Sequence, residues 1–230
     1  MAIVLRGLEL AVADPERQAR SVTMHFLRVP EAGPVTVRAK VERAGRSLST
    51  VSGRLEQEGK LLGLALAAYS KPWEGPLLDE SPMPAVEPPD SEGAARDQQR
   101  GGPSPPFLDR MIFQKRFGSS PFSGAERMEV GGWLGLAEER PLDALAMAIL
   151  ADAWFPAPWP RLKQLAPAPT IDLTIHFRSP LPAQGPLLLG RFHTGYVREG
   201  FFDEGGRLWS PDGTLVAQSR QLGLLLGAEI

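Results

Sequence analysis

Thr23-Met24-His25-Phe26 returns as Thr174-Ile175-His176-Phe177, an offset of 151 residues (174 − 23), and Gly53-Arg54-Leu55 returns as Gly206-Arg207-Leu208, an offset of 153 (206 − 53). A proline follows the first block in both copies, Pro30 and Pro180, and an apolar run follows the second. Two matches in the same order at nearly the same offset mark an internal duplication. The period lies far above the roughly 20–50 residues of solenoid repeats, so each copy is expected to be a small domain. Function is then to be sought where the copies differ.

Bulk properties set the outer bounds. The chain has 230 residues, a formal net charge of −2 and no cysteine. That charge gives no reason to expect nucleic acid or an anionic membrane as a partner. The lack of cysteine removes disulfides, thiolate metal sites and cysteine nucleophiles together. Arg6 and Glu9 interrupt the apolar amino terminus and no basic region precedes it, so it does not read as a signal peptide. The longest apolar stretch, Leu142 to Phe155, carries Asp143 and Asp152 and is too short to span a bilayer. A soluble, cytoplasmic protein is expected.

Along the chain, residues 2–13 read as a helix stopped by Asp14-Pro15. Strands follow: 21–27, with Val22, Met24 and Phe26 on one face; 35–43; and a hairpin of 47–57 with 61–69 around Glu58-Gly59. Residues 72–106 are rich in Pro, Gly, Ser and acidic residues and form a linker, extended or simply disordered. The second half repeats the order behind an extra strand, 127–136, in which Gly131-Gly132 marks a bulge or a close backbone approach. A helix over 141–154 follows, then strands 170–177, 187–193, 197–204, 206–210 and 215–226, with Asp212-Gly213 as a turn. The division is therefore a first unit over 1–71, a linker over 72–106 and a second unit over 107–230. Each unit pairs one helix with antiparallel strands, an α+β arrangement, and two such units can pack as an internal pseudo-dimer.

This order resembles the hot-dog fold, a sheet wrapped around one helix. Two copies in one chain resemble the double hot-dog acyl-CoA thioesterases, the TesB-like or thioesterase II family, over nearly the whole length. The likeness is carried by Pro-Leu-Asp-Ala-Leu-Ala-Met-Ala-Ile-Leu-Ala-Asp-Ala-Trp (141–154), Pro-Thr-Ile-Asp-Leu-Thr-Ile-His-Phe (169–177) and Leu-Val-Ala-Gln-Ser-Arg-Gln-Leu-Gly (215–223), with Phe-Leu-Arg (26–28) and Gly45-Arg46-Ser47 in the first repeat. The resemblance implies a hydrolase acting on an acyl-CoA thioester, without cofactor or metal. Its catalytic trio falls on Asp152 in Leu-Ala-Asp, Thr170 in Thr-Ile-Asp and Gln221 in Arg-Gln-Leu-Gly. Under that reading Asp152 activates a water, Thr170 and Gln221 orient it, and no acyl-enzyme forms.

By pattern alone the trio is unremarked. An aspartate late in a helix is ordinarily solvated or capping, and its charge opposes the helix dipole, which would raise its pKa. Thr170 reads as an ordinary strand threonine; Gln221 is odder, because a buried amide needs partners. His25 and His176 occupy equivalent positions on the polar side of a strand and read as structural. His193 has no companion at metal-ligand spacing. An enoyl-CoA hydratase would need a histidine five positions after the aspartate, where Ala157 stands. A non-catalytic acyl-CoA-binding protein remains the alternative, because the first repeat lacks the strand and glycine pair that open the second. Either the chain starts inside a longer one or it makes do without that strand. The open edge this leaves favours a homo-oligomer.

Overall fold

The computed structural model describes residues 1–90, 106–138, 140–180 and 187–227. The first half runs α1 (Ala2–Val12), β1 (Gln18–Phe26), β2 (Thr36–Ala44), β3 (Leu48–Gln57) and β4 (Lys60–Ser70). The second runs β5 (Met111–Gly118), β6 (Glu129–Leu136), α2 (Ala144–Leu150), β7 (Thr170–Phe177), β8 (Leu187–His193), β9 (Val197–Arg198), β10 (Phe201–Trp209) and β11 (Leu215–Leu224). All eleven strands join one antiparallel sheet in the order β2-β3-β4-β1-β7-β11-β10-β8-β6-β5, with β9 beside β10.

The duplicated tetrapeptides meet at the seam. β1 and β7 pair antiparallel with Thr23 opposite Thr174, and the two hydroxyl oxygens lie 2.9 Å apart. Each residue of β1 therefore has its counterpart 151 positions later (174 − 23), and a pseudo-two-fold passes between the threonines. The two halves even share a bulge: the register slips at Arg20 between β1 and β4, and at Ile171 between β7 and β11. His25 and His176 are both exposed on the face away from the core, as their strand positions suggest.

The α1 helix forms because Val4, Leu5 and Leu8 recur on one face, where all three are buried. It lies on β2, β3 and β4 and touches α2, so one core cluster draws on both halves. The helix ends with Ala13 in the left-handed region (φ 52°) ahead of Asp14-Pro15. The β3–β4 hairpin closes on Glu58 and Gly59, both at positive φ (48° and 76°), as its two-residue loop requires. On the outer edge of the first half no strand among the described residues flanks β2, whereas its counterpart β8 is covered by β6 and β5. The exposed edge carries Arg38, Lys40, Glu42 and Arg43, charges that discourage indiscriminate strand addition.

Three expectations need correction. The second helix is shorter than 141–154: Asp143 caps it by accepting from the Ala146 N–H at 2.8 Å, so Pro141 precedes the cap. Its far end loosens at Ala151 because Pro156 and Pro158 follow closely and disfavour continued helix. Residues 201–209 form one strand, with a tight turn at Glu199-Gly200, rather than two. A further strand, β5, lies ahead of β6; apolar residues on both of its faces hide any alternation, Met111 and Phe113 facing the core and Ile112 and Phe117 the outer layer. Gly131 and Gly132 are points of close approach: a Cβ would sit 2.2 Å from the Gly190 carbonyl oxygen and 2.0 Å from that of Gln114.

Residues 71–90 form neither helix nor strand, yet they are fastened to the outer face of the sheet. The Trp209 indole donates to the Ser81 carbonyl (2.8 Å) and the Trp133 indole to the Glu87 carbonyl (2.8 Å). Met83 and Val86 pack on Trp133, Leu187, Leu189 and Trp209, and Arg116 binds the Pro88 carbonyl and Asp90. The remainder of the expected linker, 91–105, lies outside the described residues.

Leu8→Ala, at a fully buried position, is expected to cost about 2–5 kcal/mol of stability. Leu10→Ala, on the exposed face of the same helix, should stay within about 0.5 kcal/mol. Urea unfolding of both variants checks whether the sheet covers α1, and equal losses would contradict it.

Candidate active site

Thr170 opens β7, and Gln221 stands on β11 beside it. The Thr170 hydroxyl donates to the Gln221 side-chain oxygen at 2.8 Å. The Gln221 amide nitrogen donates at 2.8 Å to Glu204 Oε1, from the neighbouring position on β10. The Ala157 backbone N–H donates to Glu204 Oε2 at 2.6 Å. Gln221 and Glu204 are 8 % and 5 % exposed, so this chain of bonds runs through the interior. A buried amide and carboxylate are tolerated there because each finds partners.

Asp152 lies in the turn after α2, its backbone N–H on the Ile149 carbonyl at 3.2 Å. Protein crowds the carboxyl group, although Asp152 as a whole residue is exposed. Among the described residues no side chain or backbone group hydrogen-bonds it. Crowding raises its pKa to about 6, and the Met1 amino group pulls the other way. Burial drives the upward shift. Glu204 is raised to about 7, first by burial, against the Ala157 and Gln221 bonds; the charges of Asp152 and Asp203 push it further up.

The structure therefore joins Thr170 and Gln221 directly, and brings Asp152 into their electrostatic surroundings through Glu204 without a direct bond. Two cavities stand out elsewhere. One, of about 460 Å³, is bordered by Arg191, His193, Arg207 and Trp209. The other, of about 770 Å³, is bordered by Glu9, Tyr69, Phe177 and Val216. Neither includes Asp152, Thr170, Gln221 or Glu204.

The C-terminal-domain model of the acyl-CoA thioesterase family matches residues 84–225, and the N-terminal-domain model matches residues 1–70. The chain belongs to this acyl-CoA thioesterase family. Its fold is the double hot-dog, shared with several solved structures. A hot-dog protein of unknown function from Alicyclobacillus acidocaldarius superposes with a TM-score of 0.85 at 27% identity, over 97% of this chain and 84% of the other. A protein described as a thioesterase II from Thermobifida fusca gives 0.77 at 29% identity, over 98% and 84%. A TesB protein of Mycobacterium avium subsp. paratuberculosis gives 0.79 at 17% identity, over 97% and 84%, a likeness of fold. Among curated proteins there is no match.

Within this family fold the two halves differ sharply in chemistry. The strand registers map Thr170 onto Ala19, Gln221 onto Ala67 and Glu204 onto Val51. The last pair carries the 153-residue offset (204 − 51) of the repeated Gly-Arg-Leu. All three counterparts are buried and apolar. The hydroxyl–amide–carboxylate chain therefore exists once, in the second half. Glu204 escaped the sequence reading because strand 201–209 was divided after it. Read as one strand, the sequence puts Glu204 in the same alternation as Phe202 and Leu208, an acid on an inward face.

Asp152 binds its proton more tightly folded than unfolded, so it favours the folded state below about pH 3.8 and withdraws that support as pH rises through about 6. Relative to Asp152→Asn, the wild type is expected to lose stability across that interval. A tail toward pH 7 comes from Glu204, whose proton affinity Asp152 raises. Melting curves of both proteins from pH 3 to pH 8 test this, and a pH-independent difference would reject it.

Proposed function

We propose that this chain hydrolyses an acyl-CoA thioester to the free acid and CoA, by direct attack of a water activated by Asp152. The observation that carries the reading is the state of that carboxyl group: hydrogen-bonded by no described residue, carried on a residue that is itself exposed, and raised to about 6 by the protein around it. A carboxylate of that basicity is mostly ionised at neutral pH and still takes a proton usefully. The described thioesterase II of Thermobifida fusca, at 29% identity, points to the same class of reaction.

The chemistry asks little of a general acid. The departing thiol has a pKa of roughly 8.5 and leaves readily as thiolate. The demanding tasks are to aim the water and to stabilise the oxyanion, for which each well-placed donor contributes about 2.7–4 kcal/mol. Thr170, which opens β7, and Gln221, its hydrogen-bond partner on β11, are assigned to hold the water. Water then attacks the thioester carbonyl, Asp152 takes its proton, and collapse of the tetrahedral intermediate breaks the C–S bond. No helix among the described residues is long and apolar enough to cross a membrane.

Release of free thiol from a panel of acyl-CoAs tests the proposal. Asp152→Asn is expected to lower kcat by about a hundredfold or more, and wild-type kcat/KM to fall as pH drops through about 6. Equal rates for the two proteins would remove Asp152 from the mechanism. Tight acyl-CoA binding without turnover would favour a non-catalytic binding protein.

A further inference from the structure

The ends of a glutamine side chain are nearly the same size and differ in polarity, so its orientation is decided by its partners. At Gln221 one partner, the Thr170 hydroxyl, can donate or accept. The other, Glu204, can only accept once it is ionised, having no proton to donate. Glu204 therefore breaks the ambiguity: it draws the Gln221 NH2 end to itself at 2.8 Å, which turns the oxygen toward Thr170 and obliges the Thr170 hydroxyl to donate at 2.8 Å. The second oxygen of Glu204 binds the Ala157 N–H, in the loop that leads away from Asp152. We propose that Glu204 is the positioning residue of this site, fixing the polarity of the Thr170–Gln221 pair and fastening the loop after Asp152 to the same carboxylate.

The inference deepens the thioesterase reading and rests on it for its catalytic meaning. With its proton committed to Gln221, the Thr170 oxygen meets a water only as an acceptor. A water held between Thr170 and the Asp152 carboxylate then presents both of its protons to acceptors and keeps a lone pair for the thioester carbonyl. The second N–H of Gln221 stays available as a donor. A Gln221 amide turned the other way would offer Thr170 an N–H and release its proton toward the water, which cancels that bias. The charged and titratable groups acting on Glu204 are Asp152 in the turn after α2 and Asp203 on its own strand, both raising its proton affinity, against the Gln221 and Ala157 donors.

Glu204→Gln tests the assignment. The new amide can keep the Ala157 bond but presents an NH2 to Gln221, forcing one of the two amides to turn. We expect kcat to fall about tenfold to a hundredfold with KM held within about twofold. In a Gln221→Ala background the same substitution should change kcat by less than about twofold, because Glu204 acts through Gln221. An equal loss in both backgrounds would overturn the proposal. A measurement on the wild type needs neither a stable variant nor turnover: the Gln221 side-chain amide and the Ala157 backbone amide, followed by NMR across pH 5 to 9, should move with one shared midpoint, because both donate to one carboxylate. Separate midpoints, or no movement of either, would overturn it. If the wild type releases no thiol from any acyl-CoA, the thioesterase reading fails, and the shared midpoint still decides whether Glu204 orients Gln221.

Discussion

The pairing of β1 with β7 is the constraint on which everything else is hung. It joins two sheets, each with an edge to satisfy, into one, and it places like against like, Thr23 on Thr174. Both helices then lie on the same side of the sheet and touch, so the main core is shared between the halves rather than doubled. Because β7 also pairs with β11, the strand that makes the seam is the one that sets Thr170 beside Gln221. Register at the seam and register at the site are one fact.

The difference between the halves follows from the cost of burying polarity. An amide at 221 without partners would be expensive, and so would a carboxylate at 204. Thr170, Gln221 and Glu204 satisfy one another in series and are tolerated as a set. The equivalent set in the first half is Ala19, Ala67 and Val51, which needs no partners at all. Either set is self-consistent, and a mixture would strand a buried donor or acceptor. This is why a duplicated fold carries this buried polar chain on one side only.

The duplication, the hairpin at Glu58-Gly59 and the amphipathic α1 were legible because each is a local pattern: a repeated word, a turn pair and a helical stripe. The limits of α2 were not, because Asp143 works as a cap inside a run that reads as continuous helix, and the prolines that stop it act at a distance. β5 was hidden by its burial on both faces. Asp152, Thr170 and Gln221 came from family likeness; no spacing in the chain predicts that a residue at 170 will bond one at 221. The upward shift of Asp152 was expected from the helix dipole; crowding by the surrounding protein, which raises it here, depends on tertiary packing that no local pattern shows. Glu204 was within reach as a charge in an inward-facing alternation, had its strand been read whole.

The segment that joins the halves changes the mechanical picture of the molecule. Two tryptophan indoles and Arg116 hold the backbone of 81–88 against the outer surface of the second half. The described part of the join, 71–90, is thus a strap laid on the second half rather than a free tether. Extra residues spliced in just before Ser81 would bulge outward and leave the assembly's shape untouched, whereas loosening either indole would peel a strip of covering from the apolar surface around Leu187 and Leu189.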